Sequence, residues 1–264
     1  MSEVSSRIRA VNRRGEAAFI PYLMAGDPSP AKFLDYVHAL AEAGADLIEL
    51  GVPFSDPVAD GPTIQAAGLR ALKTTRGVGE VLNLVRRIRG RTKIPLILMS
   101  YYNPILQFGE AHFFSECDSY GVDGVIVPDL PLGEAGPVLE LAGDNLIETP
   151  LLVTPATKQK RLSAVAGRAT GFLYLVARPG TTGAGDDVGR RTTKVIESVQ
   201  SQISGHLPVC VGFGLSSPDR VARVVKAGAD GAIVGSAIVK KVGDNFQPQE
   251  IRKFAAQLKE ATRI

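Results

Sequence analysis

Residues 46–65 read DLIELGVPFSDPVADGPTIQ. A short apolar run opens the stretch, prolines and aspartates break it, and helix-forming residues follow Pro62. Strand, loop and helix in that order make one βα unit. The unit carries an anomaly: Glu49 stands inside the apolar run. A charged, unpaired carboxylate in an apolar interior is costly, so its presence requires either a partner or a use.

Working outward, the same unit recurs. An N-terminal helix is expected over Ser5–Asn12, then a buried strand in AAFIPYLMAG that stops at Gly26-Asp27-Pro28. Pro30 to Gly44 has helical spacing, with Phe33, Val37, Leu40 and Ala41 on one stripe and Gly44 at the C-cap position. After the opening stretch come IPLILMSYY, GVIVPDL, TPLLVTP, GFLYLVA, LPVCVGFG and DGAIVGSAI, each followed by a helix-period segment. Continuous Val/Ile/Leu-rich runs mark strands buried on both faces, as parallel sheets with helical crossovers produce. Eight such units in 264 residues, without a Gly/Ser/Pro-rich linker, predict an α/β fold of one domain over 1–264, a (β/α)8 TIM barrel with an extra N-terminal helix. The first turn, MAGDPSP, lacks the G-x-G-x-x-G of a doubly wound dinucleotide fold.

Composition narrows the function classes. The chain is 45% hydrophobic and 22% charged, with a formal net charge of +3, and its basic residues are scattered, which argues against a nucleic-acid partner. Cys117 and Cys210 match neither a disulfide framework nor a zinc pattern, so no metal is expected. No signal-like apolar core and no run of the ~18 apolar residues that a membrane span needs are present. A cytoplasmic location without membrane attachment is the expectation.

In a barrel, chemistry collects at the C-terminal ends of the strands. Here these ends carry Gly26-Asp27, then Glu49 with the Asp56/Asp60 loop, Tyr101-Tyr102-Asn103, Pro128-Asp129, Thr154-Pro155 and ARPGTTGAGDD. The last two carry GFGLSS and GSAI. Glycine turns at 180–183, 212–214 and 235–236 converge on one corner, and SAIVKKVG has the length of a short helix aiming its positive end there. A phosphate site built by the loops after strands seven and eight is expected. Glu49 shares a strand face with Leu47 and Gly51, pointing into the barrel mouth, where burial should raise its pKa and suit it to acid and base work. A structural ion pair with a neighbouring Lys or Arg is the competing reading of Glu49. Asp60, in Asp-Gly-Pro, reads equally as a second carboxylate with an opposite protonation role or as a helix cap.

The stretch IELGVPFSDPVADGPTIQ, with YLMAGDP, LMSYYNPI, GVDGVIVPDLP, the glycine loop after YLVARPG, and VGFGLSSPDRV followed by GAIVGSAIV, resembles the tryptophan synthase alpha subunit family over nearly the whole chain. The resemblance implies a lyase that cleaves indole-3-glycerol phosphate to indole and glyceraldehyde 3-phosphate. It implies Glu49 and Asp60 as the catalytic pair, with Glu49 shuttling protons and Asp60 holding the indole N–H. Candidates to sandwich the ring are Tyr22, Tyr101, Val127 and Tyr174. Family phosphate contacts carry over onto Gly183, Gly214, Gly235 and Ser236, and Thr182 matches the threonine that closes onto the catalytic aspartate. No cofactor is implied in this chain; pyridoxal phosphate belongs to a beta-subunit partner in an alpha2beta2 complex, contacted through Pro53, Asp56 and Pro57. The loop after strand six departs from the family pattern, with Ala177-Arg178-Pro179 stiffening its hinge and Gly185-Asp186-Asp187 at an acidic tip. Two other readings stay open: a non-catalytic phosphate-ligand module that activates a partner, and a phosphoribosyl-type isomerase using Asp27, although strand five ends in Val153-Thr154-Pro155 without an acid.

Overall fold

The eight apolar runs form parallel strands: β1 (Ala18–Met24), β2 (Ile48–Gly51), β3 (Leu96–Met99), β4 (Gly124–Ile126), β5 (Leu151–Val153), β6 (Leu173–Val176), β7 (Val209–Gly212) and β8 (Gly231–Val234). The computed structural model describes residues 3–176, 187–203, 205–212 and 214–263. Thr182 and Gly183, with most of the loop after β6, lie outside the described residues. The strand order β4-β3-β2-β1-β8-β7-β6-β5 runs around a barrel, and a parallel bridge between Gly124 and Glu148 joins its two ends.

Alternation along each strand sorts side chains into two layers. Ala18, Ile20, Leu47, Ile97, Ile126, Tyr174, Cys210 and Ile233 fill the barrel interior. Phe19, Leu23, Ile48, Leu50, Leu98, Val125 and Val211 face outward into the larger core beneath the helices. The N-terminal helix α1 (Glu3–Asn12) contributes Val4, Ile8 and Val11 to the inner cluster, so it stoppers the barrel at the end opposite the strand C-termini. Its free N-terminal N–H groups find a distant cap: the Glu148 carboxylate accepts from Val4 N at 2.7 Å and from Ser5 N.

The crossovers are α2 (Pro30–Glu42), α3 (Pro62–Ala71), α4 (Val78–Arg89), α5 (Tyr102–Phe108), α6 (Glu110–Tyr120), α7 (Gly136–Asp144), α8 (Gln159–Ala166), α9 (Asp187–Ile203) and α10 (Pro218–Lys226). After β8 come a short helix, α11 (Ser236–Gly243), and the closing α12 (Pro248–Glu260). The expected N-terminal and post-β8 helices are both present. Helix α5 was not expected, because Asn103-Pro104 reads as a turn; Pro104 sits in the first helical turn, where its missing N–H leaves no ladder bond unmade.

One cap breaks a local rule. Helix α7 ends in a Schellman pattern, Ile147 N to Ala142 O at 2.9 Å and Leu146 N to Gly143 O at 3.1 Å, with Leu146 at φ 59° and 81% exposed. Glycine or asparagine ordinarily holds that left-handed position. Leu146→Asn is therefore expected to stabilise the chain by about 1 kcal/mol, read as a higher denaturant midpoint with an unchanged slope. An unchanged or lower midpoint would show that the leucine carries no strain.

Candidate active site

Strand register sets the first carboxylate among inward-facing neighbours. On β2, Glu49 is opposite Tyr22 of β1 and Ile97 of β3. It is 1% exposed, its Oε2 has no hydrogen-bond partner, and among the described residues no Lys or Arg pairs with it. Burial, then the nearby charge of Asp60, pushes its pKa up to about 8. The ion-pair reading of Glu49 thus has no partner to rest on among the described residues, and at neutral pH the group is largely protonated.

Asp60 enters from the β2–α3 loop. The N-cap of α3 is Gly61, without a side-chain capping bond, so the Asp60 carboxylate is not spent as a cap. Its carbonyl accepts from Gln65 Nε2 at 2.9 Å, which ties the loop to the first turn of the helix. Burial raises the carboxyl to about 6, and the Tyr101 hydroxyl facing it works in the opposite direction. Tyr101 is buried, accepts the Ala59 N–H at 3.0 Å and leans on Phe54 with ring centroids 5.5 Å apart. It therefore fixes the segment on which Asp60 stands as well as the carboxylate's electrostatics.

Two further tyrosines pack beside glycines that make room for them. A Cβ on Gly51 would lie 1.9 Å from the Tyr22 hydroxyl, and one on Gly212 would lie 2.5 Å from the Tyr174 ring. Both phenols are buried, and both are raised by burial first and then by the charges of Glu49 and Asp60, which places them around the carboxylates. Tyr22 also packs in a small cluster with Met24, Ala67, Ala71 and Val239, bordered by Ile64 and Met99.

Val127 departs from its expected place. It packs against the outer core and lines a recess of about 250 Å³ with Leu130, Leu132 and Val165, while its neighbour Ile126 faces the interior. The cause is the two-residue period, which a position named only as a strand end does not respect. The interior side chains near the mouth are Met99, Leu152 and Val176, which the sequence reading did not name. Counting in twos from Ile97 to Met99 and from Tyr174 to Val176 would have found two of them.

At the corner where a phosphate site is expected, the first helical N–H of α11 to find a partner in its ladder is Ile238, bonded to Gly235 O at 2.9 Å. The N–H groups of Ser236 and Ala237 precede it and lie at the positive end of the helix. Gly214 takes φ 77°, and its carbonyl accepts from Arg220 Nη1 at 2.7 Å. Gly235 borders Tyr22, with 3.5 Å from a Cβ there to the tyrosine Cβ, so the start of α11 and the Tyr22 side chain are contiguous. Thr182 and Gly183 fall outside the described residues.

Asp27 is not available as a free acid. It is 2% exposed and gives both oxygens to Arg70, at 2.8 Å each, which removes the isomerase reading built on it. On the outer loop, Pro53 is buried within the chain, while Asp56 is exposed, Pro57 half-buried and Val58 83% exposed. The surface that this loop offers thus runs through 56–58 rather than through Pro53. Among the described residues no group of three or more His, Cys, Asp or Glu could hold a metal, and no helix is long and apolar enough to cross a membrane.

Comparison with known proteins agrees along the whole chain. The family profile described as "Tryptophan synthase alpha chain" matches residues 8–263. A tryptophan synthase alpha chain of Microcystis aeruginosa (strain NIES-843 / IAM M-2473) is 42% identical over 264 residues, covering 99% of each chain. Among solved structures, a tryptophan synthase alpha chain from Legionella pneumophila superposes with a TM-score of 0.89 at 31% identity, over 99% of this chain and 97% of that one. A chain from the tryptophan synthase a2b2 complex of Pyrococcus furiosus superposes with a TM-score of 0.85 at 39% identity, over 92% of this chain and 98% of that one. With the profile matched over residues 8–263 and a relative 42% identical along its length, the chain belongs to the tryptophan synthase alpha chain family, a family of lyases.

Proposed function

We propose that this chain works as a single domain that cleaves indole-3-glycerol phosphate, and that Glu49 and Asp60 carry the reaction. The observation that supports it most is a buried carboxylate with no cation paired to it among the described residues and no hydrogen-bond partner on its Oε2, raised to about 8, with the charge of a second carboxylate near 6 acting on it. Two carboxylates pushed to different pKa values can hold opposite protonation states at one pH. In this reading Glu49 begins protonated and gives its proton to indole C3. The positive charge that develops on the ring nitrogen is met by ionised Asp60. Glu49, now ionised, takes the proton of the side-chain hydroxyl adjacent to C3. The O–H pair becomes the aldehyde C=O, the bond from C3 to the side chain breaks, and its electrons restore the ring as neutral indole. Glyceraldehyde 3-phosphate leaves with its phosphate, which the N-terminus of α11 with Gly214, Gly235 and Ser236 would hold until then. Tyr22, Tyr101 and Tyr174, with Met99 and Leu152, would enclose the ring.

The chain needs no cofactor of its own for this chemistry, since every proton moves through a carboxylate. Pyridoxal phosphate would belong to a beta-subunit partner, in an alpha2beta2 assembly like the complex solved from Pyrococcus furiosus. The exposed loop at Asp56, Pro57 and Val58 is the contact we assign to that partner. The test is indole release from indole-3-glycerol phosphate by the purified chain, alone and with a tryptophan synthase beta subunit. Indole and glyceraldehyde 3-phosphate in equal amounts are expected. No indole under either condition would overturn the reading.

A further inference from the structure

We propose that Arg70 is a positioning residue for Asp60: its paired bonds to Asp27 pin α3, the helix into which the Asp60 loop runs, against the end of β1 and the end of α11. The proposal rests on the reading of Asp60 as catalytic.

Helix α3 meets the barrel through a face of modest grip. Its contributions to the cluster around Tyr22 are Ile64, Ala67 and Ala71, set against Met24 of β1 and Val239 of α11. Two alanines offer shallow ridges for interlocking, and sliding of packed helices is a recognised mode of motion. Something else must fix where α3 sits along its own axis. The Arg70 fork does so. Nε and Nη2 reach the two oxygens of Asp27 at 2.8 Å each, a planar bidentate geometry that is specific in both distance and orientation.

The turn that carries Asp27 is itself closely packed. Gly26 takes φ 81°, and a Cβ there would lie 2.0 Å from Thr75 Oγ1. Thr75 is 1% exposed and follows α3 in the chain, so the segment downstream of Asp60 meets the β1–α2 turn twice, by packing of Thr75 against Gly26 and by the Arg70–Asp27 bonds. On the other side of the guanidinium lies the last residue of α11. A Cβ on Gly243 would approach Arg70 Nη2 to 3.1 Å. Helix α11 begins at Ser236, in the phosphate corner, and ends against Arg70. One guanidinium thus stands where the end of β1, the end of α3 and the end of α11 meet. At the opposite end of α3, Gln65 holds the Asp60 carbonyl. Displacing the far end of a rigid helix displaces the near end, and a misplacement of about 1 Å is enough to cost about 100-fold in rate.

The test compares Arg70→Lys and Arg70→Met with the parent in the full chain. The double variant Asp27→Asn/Arg70→Met leaves no unpaired buried charge and covers the case in which Arg70→Met fails to fold. Each is read by indole-release kinetics and by carboxyl ¹³C NMR of Asp60, assigned by the signal lost in Asp60→Asn. Arg70→Met, or the double variant in its place, should lower kcat about 10- to 100-fold with KM little changed. It should also move the Asp60 titration downward from about 6, because burial is what raises it. Arg70→Lys, which keeps the charge and loses the fork, should fall between these and the parent. An unmoved Asp60 titration, whatever happens to the melting temperature, overturns the proposal and leaves the pair purely structural. A parent that releases no indole while its Asp60 titration still shifts on substitution would instead sink the functional reading and leave the positioning intact.

Discussion

Glu49→Gln is expected to lower indole release by roughly 10²- to 10⁴-fold, the range in which positioned acid–base groups contribute. The substitution is nearly isosteric and, near neutral pH, nearly charge-neutral, because burial keeps much of the native carboxyl protonated. The amide fills the same space between Tyr22 and Ile97 but cannot deliver a proton to a ring carbon or take one from a hydroxyl. Substrate affinity should therefore change little while kcat collapses, the signature of an interaction made only in the transition state. Equal turnover by Glu49→Gln and the parent would remove Glu49 from the mechanism.

The same variant carries a stability signature of fixed sign. The folded-state pKa of Glu49, about 8, lies above its ordinary value of 4.5. Between those two values the folded chain holds a proton that the unfolded chain has lost, so stability falls as pH rises through this window. Below 4.5 both states are protonated and the penalty vanishes; above 8 it is fully present. Glu49→Gln removes the penalty, so its advantage in denaturant midpoint over the parent should grow from pH 4.5 to pH 8.5. An advantage independent of pH would mean that Glu49 titrates as an ordinary carboxylate. Activity and stability are then expected to move in opposite directions from one substitution, as they do where a group is held in an environment chosen for its chemistry rather than for folding.

Most of the barrel was legible because its signal is periodic and repeated. Eight apolar runs alternate with helix-period segments, and each run is a strand. What escaped were features set by geometry between elements. Helix α5 hid behind Asn103-Pro104, a dipeptide that favours turns but also fits the first turn of a helix. Val127 was assigned to the mouth by its nearness to a strand end, yet one residue of register turns it to the outer layer. Pro53 lies in a loop that looks exposed from its composition and is nonetheless buried. The pair Asp27–Arg70 spans 43 residues, and no local pattern announces a contact of that separation. At the centre, the anomaly of Glu49 was visible from one acid in an apolar run, whereas the absence of a cation beside it among the described residues needed coordinates. Asp60 was ambiguous for a different reason: Asp-Gly-Pro serves equally as a cap, and only the position of Gly61 as the N-cap frees the carboxylate for other work.

Asp60→Asn tests the second carboxylate, and its informative readout is the shape of the pH profile. The working form pairs an ionised Asp60, near 6, with a protonated Glu49, near 8, so kcat of the parent should be bell-shaped, with its maximum between those values. The two groups feel each other's charge, so the limbs belong to the pair. Asparagine can still accept the indole N–H but offers no negative charge to the positive ring, and kcat should fall about 10²- to 10³-fold, the range seen when one electrostatic stabiliser is removed. The acidic limb should vanish with the group that makes it. The alkaline limb should at the same time move below 8, because the Asp60 charge is one of the two causes that raise Glu49. Tyr101→Phe should do the reverse at the acidic side: its hydroxyl holds the Asp60 pKa down, so losing it should carry that limb above 6. An alkaline limb that stays in place in Asp60→Asn would mean that the two carboxylates are uncoupled and that burial alone holds the Glu49 proton.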